Sequence, residues 1–125
     1  MNISQKLTAA VSGYAAGIAV YANTSTSFRG SSLALNALGI LAASVALGDE
    51  GTIVVHGQVS ALAGSAVGIG EWLIATDGEL IAYTMAELEA AYTGDSVVVL
   101  GRALEDAADG ALFAAFVSPF IFTGP

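Results

Sequence analysis

The stretch Gly48-Asp49-Glu50-Gly51-Thr52-Ile53-Val54-Val55-His56-Gly57 decides how this chain is to be read. A glycine and an acid open it, a β-branched run fills it, and a glycine closes it. Glycine supplies the positive-φ backbone of a tight turn, and Asp or Glu favours the turn or stays solvated. Thr, Ile and Val fit the pleated, half-buried surface of a sheet. The unit returns twice. Gly70-Glu71 leads into Trp72-Leu73-Ile74-Ala75 and stops at Asp77-Gly78; Gly94-Asp95 leads into Ser96-Val97-Val98-Val99-Leu100 and stops at Gly101. Short strands at near-regular spacing, separated by turn signals, predict a mainly β fold, a small β-barrel or β-sandwich. Asp77-Gly78 is also a hairpin signal, joining Trp72–Thr76 to Glu79–Tyr83.

Working outward, Thr84-Met85-Ala86-Glu87 matches a capping box, with Met85, Leu88 and Tyr92 at helical spacing and Gly94 past the end. A short helix is expected over about 84–93. A second helical turn is expected over Leu104–Asp109, stopped by Gly110. Leu112–Val117 reads as a strand, and Pro119 puts its continuation at a sheet edge or ends it. Upstream, Gly17–Tyr21 reads as a strand and Asn23–Ser32 as a polar loop carrying Phe28 and Arg29. Leu33–Leu47 fits either a helix or a pair of buried strands, which periodicity alone does not separate. No linker splits the chain. The expected organisation is an N-terminal arm over 1–15, one β-rich domain over 16–118 and a C-terminal tail over 119–125.

The totals narrow the function. The 125 residues suit one domain with a real core. Cysteine is absent, which removes disulfide scaffolds, thiolate metal sites and cysteine nucleophiles. Charged residues are only 11%, against an ordinary ~25%. A low-charge, Ala/Gly/Ser-rich surface is expected, suited to oligomer or lattice contacts. The net charge is -8, and Lys6, Arg29 and Arg102 are the only Lys or Arg residues. Nucleic acid requires a basic patch and an anionic membrane surface attracts one, so neither partner is expected. Lys6 followed by apolar Leu7–Ala22 has the outline of a signal peptide, but Thr8, Ser12, Gly13 and Gly17 interrupt it, and no cleaved leader is expected. Gly30–Gly48 is uncharged and about as long as a membrane span, but its polar residues and acidic flank favour a buried soluble segment.

No catalytic constellation emerges. His56 lies inside a strand pattern and reads as structural, since a base needs a nucleophile within reach. Gly64-Ser65-Ala66-Val67-Gly68 misplaces its serine for a nucleophile elbow. Gly68-Ile69-Gly70 lacks the third glycine of a nucleotide loop. The acid pairs Asp49-Glu50 and Glu105-Asp106 sit where turns or helix ends expect solvated acids, and no calcium-loop pattern occurs. No metal and no cofactor is therefore expected. Asn2-Ile3-Ser4 and Asn23-Thr24-Ser25 match the glycosylation sequon. With the signal-like start, they motivate an alternative: a secreted or surface β-domain that binds glycan or protein. A small enzyme using an acid pair is a further alternative. Trp72, the sole tryptophan, reads as core or as an interface anchor. Arg102 is placed to pair with Glu105 or Asp106, or with a neighbouring subunit.

One family resemblance runs through these elements in order. Ala16-Gly17-Ile18-Ala19-Val20, Leu38-Gly39-Ile40-Leu41, Gly48-Asp49 through Gly57 and Gly70-Glu71-Trp72-Leu73 through Asp77-Gly78 come first. Leu100-Gly101-Arg102-Ala103-Leu104-Glu105-Asp106-Ala107-Ala108-Asp109-Gly110 then leads into Ala111–Val117. Together they resemble the head decoration, or capsid cement, proteins of tailed bacteriophages over residues 16 to 118. The resemblance implies a non-enzymatic structural protein of the virion. It would bind the major capsid protein on the outer surface of the capsid and stabilise the shell against DNA pressure, commonly as a homotrimer. Candidate interface residues are Trp72, Arg102, Phe28, Arg29, Phe120 and Phe122, with the chain termini expected to reach the shell.

Overall fold

In this computed structural model, residues 2–10, 13–22, 24, 26–30, 37–76 and 78–125 are described. They form strands β1 (Ile3–Ala9), β2 (Ala19–Ala22), β3 (Ser27–Gly30), β4 (Gly39–Leu41), β5 (Glu50–Leu62), β6 (Trp72–Thr76) and β7 (Glu79–Tyr83). Helix α1 (Met85–Ala91), β8 (Ser96–Ala103) and β9 (Leu112–Thr123) follow. The fold is mainly β, with a closed five-stranded barrel and one short helix.

The opening stretch of the sequence builds β5, and β5 serves two barrels. Its first half closes the ring β1-β3-β2-β4-β5, with β1 antiparallel to β5 and parallel to β3. Its second half leads the set β5-β9-β8-β6-β7. That set returns to the end of β5 through a parallel bridge between Ala63 and Leu80. The crossing point is Gly57, where pairing passes from β1 to β9. Its φ is 129°, and an added Cβ would fall on the Asn2 side chain. Asn2 fills that space instead: its amide donates to the Gln58 carbonyl (2.9 Å) and accepts from the Gln58 N–H (3.1 Å).

The two barrels are one scheme used twice. The antiparallel pairs Ala19↔Ile40 and Val20↔Gly39 have Trp72↔Arg102 and Leu73↔Gly101 as counterparts. The parallel pair Ala9↔Phe28 has Ala63↔Leu80, and Leu7↔Gly51 has Ala61↔Phe113. The connectors agree as well. Tyr14 and Val45 exchange backbone hydrogen bonds (both 2.9 Å), and so do Val67 and Ala107 (2.8 and 2.9 Å). The Gly17 and Gly48 N–H groups donate to the Leu41 and Ala9 carbonyls, as those of Gly70 and Gly110 donate to Ala103 and Ala63.

A five-stranded barrel encloses little volume, so its lining must be small and alternate strictly along each strand. Leu7, Ala9, Val20, Phe28, Leu41 and Ile53 fill the first barrel. The counterpart positions hold Ala61, Ala63, Leu73, Leu80, Ala103 and Ala115. Ala9, Ala61, Ala63, Ala103 and Ala115 are thus core lining, while others such as Ala42, Ala43 and Ala46 stay on the surface. Each barrel holds one phenylalanine, from opposite strands. Phe28 packs on Gly51 in the first, and Phe113 stands opposite Ala61 in the second. A third cluster forms on the outside of the second barrel, where Ile74, Val97 and Val99 meet Leu88 of α1.

Several expectations are corrected. The Ile3–Ala9 part of the expected arm is a barrel stave with Leu7 and Ala9 buried, because its period-two pattern lets it complete the ring. The expected tail is largely strand, since β9 runs to Thr123 and pairs with β8 there (Val97↔Phe122, Ser96↔Thr123). Pro119 lies where β9 has left β5, so that part of the strand is an edge, one of the two outcomes expected. Leu104–Asp109 is not helical: Ala107 gives its N–H and carbonyl to Val67, removing the groups a helix needs. Glu105 and Asp106 accept from the N–H groups of Ala114 and Ile69 (both 2.8 Å) rather than facing Arg102. Within Leu33–Leu47 the described residues hold strand β4 and an extended connector, while 33–36 lie outside the described residues. Asn23, Ser25 and Asp77 also lie outside them, though β6 and β7 pair as the hairpin reading requires. No described helix is long and apolar enough to cross a membrane.

Two predictions follow from the backbone. A Cβ at Gly101 would strike the Phe116 carbonyl oxygen, as one at counterpart Gly39 would strike that of Val54. Gly94 has nothing within 4 Å of its Cβ position, though its φ is 75°. Urea denaturation is expected to show Gly101→Ala losing roughly 3 kcal/mol or more, and Gly94→Ala only about 1 kcal/mol. Thr84 and Glu87 form the expected capping box (Glu87 N–H to Thr84 Oγ1, 3.2 Å; Thr84 N–H to Glu87 Oε1, 2.9 Å). The Thr84 backbone hydrogen bond, then its hydroxyl, hold the Glu87 carboxyl below its ordinary value. A depressed carboxyl stabilises above its unfolded pKa and loses that contribution as pH falls through the folded one. Protection factors in α1, taken relative to the intrinsic exchange rate at each pH, are therefore expected to fall on acidification below the usual glutamate range. Glu87→Gln should abolish that pH dependence, and Thr84→Ala should cost about 1 kcal/mol at neutral pH.

Candidate functional site

The outward positions of the second barrel gather three of the residues singled out in the sequence. Leu73 and Ala103 point inward, so their neighbours Trp72 on β6 and Arg102 on β8 point outward as direct cross-strand partners. Arg102 is likewise opposite Phe116 on β9. Trp72, Arg102 and Phe116 thus form a row across three adjacent strands. Phe120, four residues further along β9, closes one side, and the connectors add Ile69 and Leu104 at the other. Together they line a cleft of about 510 Å³.

Geometry holds the row in place. The Arg102 guanidinium carbon lies 4.5 Å from the Trp72 ring centroid, and its Nε donates to the Gly70 carbonyl at 3.1 Å. A cation over a tryptophan face contributes roughly 0.5–2 kcal/mol, more as water is excluded. Phe120 meets Trp72 edge-on with centroids 5.5 Å apart, and His56 meets Phe116 the same way at 5.3 Å. Several of these side chains remain open to solvent: Phe116 is 40% exposed, Phe120 39%, Leu104 41% and Ile69 67%. An apolar cleft with one fixed cation suits docking of another surface. Arginine keeps its proton in proteins, and Ser118 is the only hydroxyl in the lining, so the cleft offers no acid–base pair. Among the described residues no group of three or more His, Cys, Asp or Glu is placed to hold a metal.

The other candidates lie elsewhere. Phe28 is fully buried in the first barrel and belongs to its core rather than its surface. Arg29 is exposed on β3, away from the cleft. Phe122 packs half-buried beneath α1, against the cluster around Leu88. Phe116 was not singled out in the sequence, although the alternation Phe113, Ala115, Val117 inward places it outward. Ile69 and Leu104 carry no periodic signal, because they sit on connectors.

Trp72 reports on this arrangement. Arg102→Ala, which takes the cation off the indole face, is expected to change the intensity or wavelength of tryptophan emission while far-UV circular dichroism stays as it is. Unchanged emission would show that the stacked geometry does not persist in solution.

No protein-family model matches the sequence, and no curated protein does. Among solved structures, the N base of head fiber gp8.5 of bacteriophage phi29 shares the fold, with a TM-score of 0.66 at 18% identity. The match covers 94% of this chain and 95% of that one, so it takes in both barrels.

Proposed function

We propose that this chain is a structural protein of a bacteriophage head that binds the outside of the assembled capsid. In this reading it docks on the major capsid protein as a homotrimer and stabilises the shell. The observation that carries the proposal is the two-barrel fold, shared over nearly its whole length with a phage head fiber base. The order of motifs from Gly17 to Gly110 supports it independently, through the likeness to decoration proteins. Chemistry agrees: the cleft is built to bind rather than to turn over a substrate. A net charge of -8 also suits the exterior, because packaged DNA would repel it and no basic patch offsets that.

The test uses purified chain and empty capsids of the phage that encodes it. Saturable binding at a fixed copy number is expected, with a raised capsid melting temperature and no binding to free DNA. Failure to bind either expanded or unexpanded capsids would contradict the proposal. Binding without a change in melting temperature would leave a fiber-base role and remove the stabilising one.

A further inference from the structure

The contact that joins the two barrels is left open a second time, half of it at each end of the molecule. On the first barrel Val20, Leu41 and Ile53 point inward, so Ala19, Ile40 and Val54 point outward. These three are buried in one continuous core with Leu73, Leu80, Leu100, Phe113 and Val117 of the second barrel. The outer face of the first barrel therefore seals the mouth of the second. By register, the counterparts of Ala19, Ile40 and Val54 are Trp72, Arg102 and Phe116. This is the row of the cleft; among the described residues Phe120 and His56 meet it only edge-on, and Arg102 and Phe116 stay exposed where Ile40 and Val54 are buried. The mouth shows the complementary gap. Leu100 and Val117 are 0% and 1% exposed; their first-barrel counterparts, Leu38 and Val55, are only half-buried.

We propose that the Trp72–Arg102–Phe116 face takes the first-barrel mouth of a second copy of this chain, head to tail, reusing the geometry of the internal joint. Charge supports this occupant. At the internal joint Leu112 lies against Gly17, with its Cδ2 2.8 Å from where a Cβ would stand. Transposed to a joint between copies, Gly17 becomes Gly70 and Leu112 becomes Glu50 of the partner subunit. Gly70 is the residue whose carbonyl anchors Arg102. The transposition thus sets an exposed carboxylate beside the one charged group in the cleft lining. A chain of net charge -8 repels itself, and a joint that pairs one of its few cations with an acid offsets part of that repulsion. A head-to-tail contact uses two different patches, so it closes into a ring when the rotation permits.

The inference deepens the oligomeric part of the proposed function, and its test needs no capsid. Mass is measured by light scattering on the full chain, with circular dichroism as the folding control. Wild type is expected to be a closed oligomer of fixed mass. Arg102→Glu and Glu50→Arg should each weaken assembly by about two orders of magnitude, leaving folded monomers. Combining the two should restore the wild-type mass. A monomeric wild type, single variants that still assemble, or a folded double variant that does not reassemble would each overturn the inference. Single variants that keep their mass but lose capsid binding would assign the face to the capsid protein, leaving the head role intact. A charge swap that behaves as expected in a chain that ignores capsids would uphold the joint and sink the head role.

Discussion

Everything in this molecule hangs on β5 passing from one barrel to the other at Gly57. Up to His56 the strand pairs with β1 and closes the first ring; from Gly57 it pairs with β9 and opens the second. Neither barrel is complete without it. The Asn2 side chain clamps the backbone at Gln58, one residue past the crossing, so the first residues of the chain brace the point where the sheets part. A barrel removes sheet edges, and sharing a strand does so for most of two small rings, leaving the end of β9 beyond Val117 as an edge. The interior of each ring is narrow, which explains the small lining residues Ala9, Ala61, Ala63, Ala103 and Ala115.

The repetition is one of register and backbone, with little of it in side chains. Gly39 and Gly101 match because a neighbouring carbonyl leaves no room for Cβ at either place. Phe28 with Gly51 and Leu80 with Phe113 fill similar space by opposite choices. The outer faces diverge most: Ala19, Ile40 and Val54 became an internal joint, while Trp72, Arg102 and Phe116 face outward. The same geometry that makes a joint in one barrel leaves an open face in the other, and the larger aromatic and cationic residues there suit the proposed contact between copies.

Local signals in the sequence carried well where they were short-range. The strands of the glycine–acid–strand units, the antiparallel pairing of β6 with β7 and the Thr84–Glu87 capping box each depend on neighbouring residues, and each forms. Long-range features were hidden. That residues 3–9 would close a ring with residues 50–56 depends on a register that no local pattern encodes. Leu104–Asp109 has helical composition, yet its backbone is claimed by Val67, forty residues away in chain order, roughly, and far beyond any window of periodicity. Phe28 sits in a polar stretch and looked exposed; alternation within four residues of strand buries it. Trp72, Arg102 and Phe120 stood out by residue type, and the structure brings them to one cleft. Their partner Phe116 needed the direction of the pleat.

The most direct test of the head role is a cryo-EM map of the native particle at side-chain resolution. The account predicts this two-barrel chain on the outer surface of the shell, with the Trp72–Arg102–Phe116 face of each copy against the first barrel of the next. Density for the chain inside the shell, or its absence from the particle, would contradict it.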